Sequence, residues 1–317
     1  MGALELRKGY DPGVKPSQLC LIAEGYQNEL AEELASLGVT QLFATKQTIG
    51  VLEDQVEPAW AQCVWRNVQS IEVDSIADGQ RKLSAISKYW RYYGDQFNRR
   101  GSLIAEGLNL GKPSRPYRFP SRGEKSPPPV FTLGESGLIY YTDQIHRPAF
   151  DGKVSFVENK STPPSRAYLK LWEALTILGD WPRAGDSVID LGSSPGSWTW
   201  ALAELGANVA SIDRSPLAVE LKNYQNIQFT TGDAFSVEPR PIDWVFSDVI
   251  CYPEKLYDYA RQWLDSGHCQ KFVCSVKFAG KPDHSVINRF RQLPHSRILH
   301  LTHNKNEVTW MSHPKIS

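Results

Sequence analysis

Ser187-Val188-Ile189-Asp190-Leu191-Gly192-Ser193-Ser194-Pro195-Gly196-Ser197-Trp198 is the stretch on which the fold of the second half of this chain turns. Its first five residues form a short apolar run that reads as a buried strand. The glycine-rich segment after it reads as a turn, and Thr199 to Leu205 as a helix. Strand, tight turn and helix in that order bring a ligand against backbone amides at the end of a parallel strand. The loop departs from the dinucleotide fingerprint, because Ser194 occupies the position where that pattern needs a glycine for close pyrophosphate approach.

Downstream, the apolar runs recur and several end in a charged residue. Asn208 to Ile212 ends in Asp213, an acid placed to accept hydrogen bonds from the two hydroxyls of a ribose. Ile227 to Thr230 leads to Gly232-Asp233-Ala234, where Asp233 is positioned for an adenine amino group. Ile242-Asp243-Trp244-Val245-Phe246-Ser247 ends in Asp248, Phe272 to Val276 ends in Lys277, and Glu307 opens Val308-Thr309-Trp310. Helix and strand alternate from Ser165 onward, which predicts an α/β sheet.

Upstream, Leu19 to Ala23 reads as a strand, and Leu30, Leu34 and Leu37 recur at helical spacing before Gly38. Short strand-like runs follow at Val39 to Thr45 and Thr48 to Glu53, and again within Val130 to Tyr141. The division expected is an α+β region over residues 1–150 and an α/β domain over 151–317. Between Lys88 and Lys125, nine basic residues (Lys88, Arg91, Arg99, Arg100, Lys112, Arg115, Arg118, Arg122, Lys125) meet three acids, Asp95, Glu106 and Glu124. Tyr89, Trp90, Tyr92, Tyr93, Phe97, Tyr117 and Phe119 lie among them. Cations that hold phosphates beside aromatic faces that stack unpaired bases fit an RNA contact region; a solvated helix face with a proline-rich connector fits the same composition. Ser126-Pro127-Pro128-Pro129 reads as a rigid spacer.

Ser165-Arg166-Ala167-Tyr168-Leu169-Lys170-Leu171, followed by Asp190-Leu191-Gly192-Ser193-Ser194-Pro195-Gly196-Ser197-Trp198, resembles the FtsJ-like ribose 2′-O-methyltransferases. The resemblance implies a C-terminal Rossmann-like class I methyltransferase domain with a mostly parallel seven-stranded sheet, and S-adenosyl-L-methionine as cofactor. It also implies a Lys-Asp-Lys-Glu catalytic tetrad, which falls on Lys170, Asp248, Lys277 and Glu307. The cofactor contacts it implies are Asp190, Gly192, Ser193, Pro195, Gly196, Ser197, Trp198, Asp213, Asp233, Ala234 and Asp248. Within that class the chain is most similar to the RlmM family, through Cys20 to Leu34, Gly137 to Phe150, Asp248 with Pro253-Glu254-Lys255, and His303 to Thr309. Ser197 stands where that family usually has a second glycine. This likeness implies an N-terminal THUMP-like RNA-binding domain and a cytidine ribose of 23S rRNA as target. The nucleotide is expected single-stranded or flipped out, since a duplex blocks in-line access.

A ribose hydroxyl attacks a sulfonium methyl only if a base accepts its proton, and Lys277 is the residue assigned to that role, with Asp248 and Glu307 orienting the amines. Two other readings stand beside this one: a nucleotide-dependent oxidoreductase, and a non-catalytic RNA-binding protein with a degenerate methyltransferase fold. A zinc hydrolase ranks last and no metal is expected. His300 and His303 would point to opposite faces of a strand over Arg297 to Leu301.

Charge separates none of these, because 35 basic and 35 acidic residues balance among 317. The five cysteines (Cys20, Cys63, Cys251, Cys269, Cys274) are scattered, which suggests a reducing, cytoplasmic setting and no disulfide framework. Met1 to Pro12 carries charges and no apolar run, so neither a signal peptide nor a membrane span is expected.

Overall fold

The computed structural model describes residues 14–111, 115–123, 127–135 and 137–316. The expectations for Met1 to Pro12, and those resting on Lys112, Glu124, Lys125 and Ser126, fall outside the described residues. The chain divides into two compact units, Met1–Arg115 with Glu124–Val154, and Pro116–Gly123 with Ser155–Ser317.

The first unit runs β1 (Gln18–Ile22), α1 (Gln27–Ser36), β2 (Gln41–Ala44), β3 (Thr48–Val51), β4 (Ala61–Arg66), β5 (Gln69–Glu72), α2 (Ile76–Ile86), β6 (Arg91–Tyr92), α3 (Asn98–Glu106), β7 (Val130–Glu135), β8 (Leu138–Thr142) and β9 (Gln144–Ile145). Its strands form a five-stranded sheet, β2-β3-β1-β4-β9, and a four-stranded sheet, β5-β8-β7-β6. Leu30 and Leu34 bury the inner face of α1 as their spacing requires. Glu33 goes inside with them, where its two carboxylate oxygens accept the amides of Ala59 and Trp60 at 2.8 and 2.9 Å. Those charge-assisted bonds satisfy donors ahead of β4 that would otherwise be buried and unpaired.

Two aromatics of the basic stretch pack inside this unit. Trp90 is wholly buried in a cluster with Leu83, Ile104, Phe131 and Ile139. Tyr92 packs on Phe131, and Arg91 lies under the ring of Phe150. Aromatic side chains at half-apolar positions lower the free energy most by burial, and here burial wins. Lys88, Tyr89, Phe97 and Arg99 stay exposed.

The second unit runs α4 (Tyr168–Leu178), β10 (Ser187–Leu191), α5 (Ser197–Glu204), β11 (Asn208–Asp213), β12 (Ile227–Thr231), β13 (Trp244–Ser247), α6 (Pro253–Asp265), β14 (Phe272–Lys277), α7 (His284–Arg291), β15 (Ser296–Leu299) and β16 (Glu307–Ser312). Seven strands form one sheet in the order β12-β11-β10-β13-β14-β16-β15. The first five are parallel, and β16 runs antiparallel to both β14 and β15. Parallel strands covered on both faces need continuous apolar runs, and β13 supplies one with Trp244, Val245 and Phe246 all fully buried. α6 shows the complementary helical pattern, burying Leu256, Tyr259, Ala260 and Trp263 at one-face spacing. α4 is buried along almost its whole length and ends at Gly179, whose φ of 62° suits the left-handed cap. Phe119, from the segment Pro116–Gly123, stacks on Trp172 of that helix at 4.9 Å. The site follows from the strand order. β10 has β11 on one side and β13 on the other, so the chain leaves the sheet in opposite directions beyond its carboxyl end, and a crevice opens there.

Candidate active site

Three register relations build the site. Leu191 of β10 pairs with Ser247 of β13, so Gly192 and Asp248 leave neighbouring strands together. β13 pairs with β14 in parallel, and Lys277 of β14 faces Glu307 of β16 across the antiparallel pair. α4 then supplies Lys170 from outside the sheet. Its ammonium lies 3.0 and 3.1 Å from the two oxygens of Asp248 and 2.9 Å from Glu307 Oε1. The amine of Lys277 lies 3.0 Å from Asp248 Oδ1 and also donates to the Asp248 main-chain oxygen. Two ammonium groups and two carboxylates, spread over 137 residues of sequence, thus meet around one aspartate.

The four are not equivalent. Lys170 and Glu307 are each 7 % exposed, while the side chain of Lys277 is 23 % exposed. Burial alone would lower the Lys170 pKa, but Asp248 and Glu307 outweigh it and hold the amine above the ordinary lysine range. Burial likewise works to raise the Asp248 carboxyl, and the two lysines overcome it and hold that carboxyl low. Lys170 is therefore a fixed cation that locks Asp248 and Glu307 in place, and Lys277 is the amine open to an incoming group.

Two cavities meet at this cluster. One, of about 280 Å³, is lined by Asp190, Gly192, Ser193, Pro195, Ser197, Trp198, Asp213, Asp248 and Lys277, with Ser165, Ala167, Val249 and Ile250. The second, of about 380 Å³, is lined by Gly232, Asp233, Ala234, Phe235, Tyr252 and Lys255, and shares Gly192, Asp213, Val249 and Ile250 with the first. Of the residues expected around a cofactor, Gly196 lines neither. It turns the chain at a φ of 111° and packs on Leu221 beneath the loop. Lys170 and Glu307 lie behind Asp248, off both linings.

The loop is held by bonds that the sequence does not advertise. Ser197 Oγ sits 2.7 Å from Ser165 Oγ, and the Trp198 indole donates to the carbonyl of Ala167 at 3.0 Å. The serine that replaces the usual glycine thus ties the loop to the start of α4. Glu173, one turn beyond Lys170, accepts the amide and hydroxyl of Thr302 and anchors the segment leading to Glu307. Asp213 accepts the amides of Ser194 and Ser215 at 3.0 and 2.8 Å, so it orders the loop from the neighbouring strand. Asp233 accepts the Phe235 amide and the Arg214 guanidinium; these two donors hold its carboxyl below the usual range. Its oxygens are thus already engaged by protein donors.

Asp190 is buried completely, and burial pushes its carboxyl up to about 7 against the single short bond from Thr199 at 2.6 Å. Its Oδ1 has no hydrogen-bond partner among the described residues. A folded pKa near 7 set against an unfolded value near ~3.9 means the protonated form is favoured by folding. That stabilisation is complete below about pH 4 and is lost as pH rises to about 7. Asp190→Asn keeps an acceptor for Thr199 and removes the ionisation. The variant is expected to flatten the fall in unfolding free energy between about pH 4 and pH 7 by on the order of 4 kcal/mol. Urea denaturation across that range checks it, and parallel profiles for the two proteins would refute it.

Residues 163–317 match the family model described as FtsJ-like methyltransferase. Curated relatives named Ribosomal RNA large subunit methyltransferase M align with part of the chain. The protein of Azoarcus sp. (strain BH72) is 32 % identical over 166 residues, 47 % of this chain and 46 % of its own length. That of Thauera aminoaromatica is 32 % identical over 170 residues, 48 % and 47 % of the two chains. That of Halorhodospira halophila (strain DSM 244 / SL1) is 37 % identical over 118 residues, 36 % and 35 % of the two. The matched portion spans about half the length of the relatives, or less. No helix among the described residues is long and apolar enough to cross a membrane. The mostly parallel sheet and the glycine-rich crevice thus fall in residues 163–317, the same residues that match the FtsJ-like methyltransferase model.

Proposed function

We propose that this protein transfers a methyl group from S-adenosyl-L-methionine to a ribose 2′-hydroxyl of RNA, on a cytidine of 23S rRNA. The observation that carries the reading is the Lys170–Asp248–Lys277–Glu307 cluster at the edge of the glycine-rich cavity. The residues present fit the cofactor. Asp190 Oδ1 is a buried acceptor without a partner, and a ligand carrying sulfonium and ammonium charges favours its ionised form. Gly192 and its neighbours through Trp198 would hold the methionine end, Asp213 the ribose, and Asp233 with Ala234 the adenine side. When bound, the cofactor supplies an electrophilic methyl group.

The chain's own residues do the rest. Asp248 is held on two sides by amines, so its carboxylate stays fixed while the target hydroxyl is oriented. Lys277, the more open amine, takes the hydroxyl proton as the new bond forms, which requires its neutral form. Lys170 stays charged between its two carboxylates and fixes both. In the first unit, we assign to residues 1–150 a THUMP-like RNA-binding role, supported by the exposed Lys88, Tyr89, Phe97 and Arg99. The target nucleotide is unpaired or flipped out when it reacts.

Incubation with methyl-labelled cofactor and an unmodified 23S rRNA transcript tests the reading, with the modified ribose then mapped by its resistance to alkaline cleavage. Absence of label in RNA would refute it. A cofactor-site variant gives a second check. At Gly192 φ is 71°, and an added Cβ would lie 2.7 Å from the Cα of Val249. Gly192→Ala is expected to weaken cofactor binding about tenfold or more, since strain and clash of this kind cost on the order of 1–3 kcal/mol. Calorimetric titration with S-adenosyl-L-methionine measures it, and unchanged affinity would contradict the cradle.

A further inference from the structure

Ile250 and Tyr252 are 86 % and 79 % exposed, the two most exposed large hydrophobic side chains among the described residues. Both belong to the short segment Val249-Ile250-Cys251-Tyr252 that joins Asp248 to α6 and carries no regular secondary structure. Ile250 borders both cavities and Tyr252 borders the second. A single exposed isoleucine needs no explanation, but two bulky apolar groups within four residues of the reacting cluster form a local feature. Nothing in the local fold asks for them. The Tyr252 side chain makes no capping bond to α6, and the helix starts on Pro253 at its first position.

Resting on the function proposed above, we infer that Ile250 and Tyr252 are the platform against which the base of the target nucleotide packs. The inner apolar walls of the second cavity are Val249, Ala234 and Phe235, with Lys255 fixed over the Phe235 ring at 4.0 Å. Ile250 and Tyr252 stand at the rim and face solvent, the side from which RNA arrives. Chain geometry puts them within reach. Two residues beyond Asp248 extend at most about 7 Å, and four at most about 14 Å. A ribose presented to Lys277 and Asp248 carries its base on the carbon next to the reacting one. A base drawn out of its stack loses contacts with its neighbours, and an aromatic face with an aliphatic neighbour replaces them. The two are positioning residues; neither touches the transferred methyl group.

The experiment compares the full chain with Tyr252→Ala, Ile250→Ala, the double variant and Tyr252→Phe. The probes are an unmodified 23S rRNA transcript and S-adenosyl-L-methionine. The double variant is expected to raise the KM for RNA on the order of tenfold or more, the scale of one lost base–aromatic stack. Its Kd for S-adenosyl-L-methionine should stay within about twofold of the parent, a difference small against the stacking loss, and Tyr252→Phe should keep the parental KM. An equal or larger loss of cofactor affinity would make the segment a cover for the adenine and overturn the inference. So would an unchanged KM for RNA in the double variant. A parent protein that binds the cofactor but methylates no RNA would overturn the function and the platform together, and is told apart from the other outcomes by the parent alone.

Discussion

Lys170→Met is expected to destabilise the second unit by about 3–5 kcal/mol, the scale seen when one partner of a buried ion pair is removed. Lys170 is 7 % exposed and its ammonium is bonded to both Asp248 and Glu307, so its loss leaves two carboxylates facing a shared gap. One of them then has to take up a proton to remain buried. The direction of the pH dependence follows from that. In the parent, the low pKa of Asp248 gives stability that is present above the carboxylate range and lost as pH falls into it. In the variant, a raised carboxyl gives stability present at low pH and lost as pH rises. Urea denaturation at about pH 5 and about pH 8 should show the gap between parent and variant widening at the higher value, since carboxylates ionise below that span. Adding Glu307→Gln to Lys170→Met should recover much of the stability and none of the methyl transfer. A gap independent of pH would mean that the Lys170 charge does not carry the cluster.

Lys277→Ala is expected to lower methyl transfer by about 10²- to 10⁴-fold, the contribution typical of a positioned proton acceptor. The side chain is more open than that of Lys170, and Asp248 keeps its two bonds from Lys170 when Lys277 is cut back. Stability should therefore change far less than in Lys170→Met, and cofactor affinity should stay near the parental value. Single-turnover transfer to 23S rRNA, read beside calorimetric cofactor binding, separates the two effects. Turnover at the parental rate would remove Lys277 from the mechanism. Loss of cofactor binding in step with activity would instead make it part of the cofactor cradle.

Much of the domain could be read from the order of apolar runs, because the parallel strands here are short and continuous, and several end at or beside a charged residue. Asp190, Asp213, Asp248 and Lys277 were legible for that reason: strand ends at a crevice are where a sheet places chemistry. Glu307 was legible only through the likeness to a family, since nothing local marks it. What escaped depends on contacts distant in sequence. Glu173 looks like an ordinary helical acid until Thr302 is seen against it, 129 residues on. Ser197 looks like a departure from a pattern until its bond to Ser165 shows a use for the hydroxyl. Arg214 is the neighbour that occupies Asp233, and only the folded turn brings the two together. In the first unit, composition did not tell buried aromatics from exposed ones. Aromatic residues among arginines match a nucleic-acid surface in composition, yet Trp90 is a core residue and Tyr92 packs half-buried against it, while Tyr89 and Phe97 stay exposed.

The pairing of β14 with β16 carries a consequence for assembly. Lys277 faces Glu307 because the two strands meet in one register, and a shift of a single residue would send Glu307 to the opposite surface of the sheet. The loop between Lys170 and Glu307 is 137 residues long, so closing it is among the entropically slower steps available to this unit. A partly folded chain could hold its cradle between β10 and β13 and still lack the last carboxylate. On the proposed function, competence for chemistry then waits on the docking of β16 against β14.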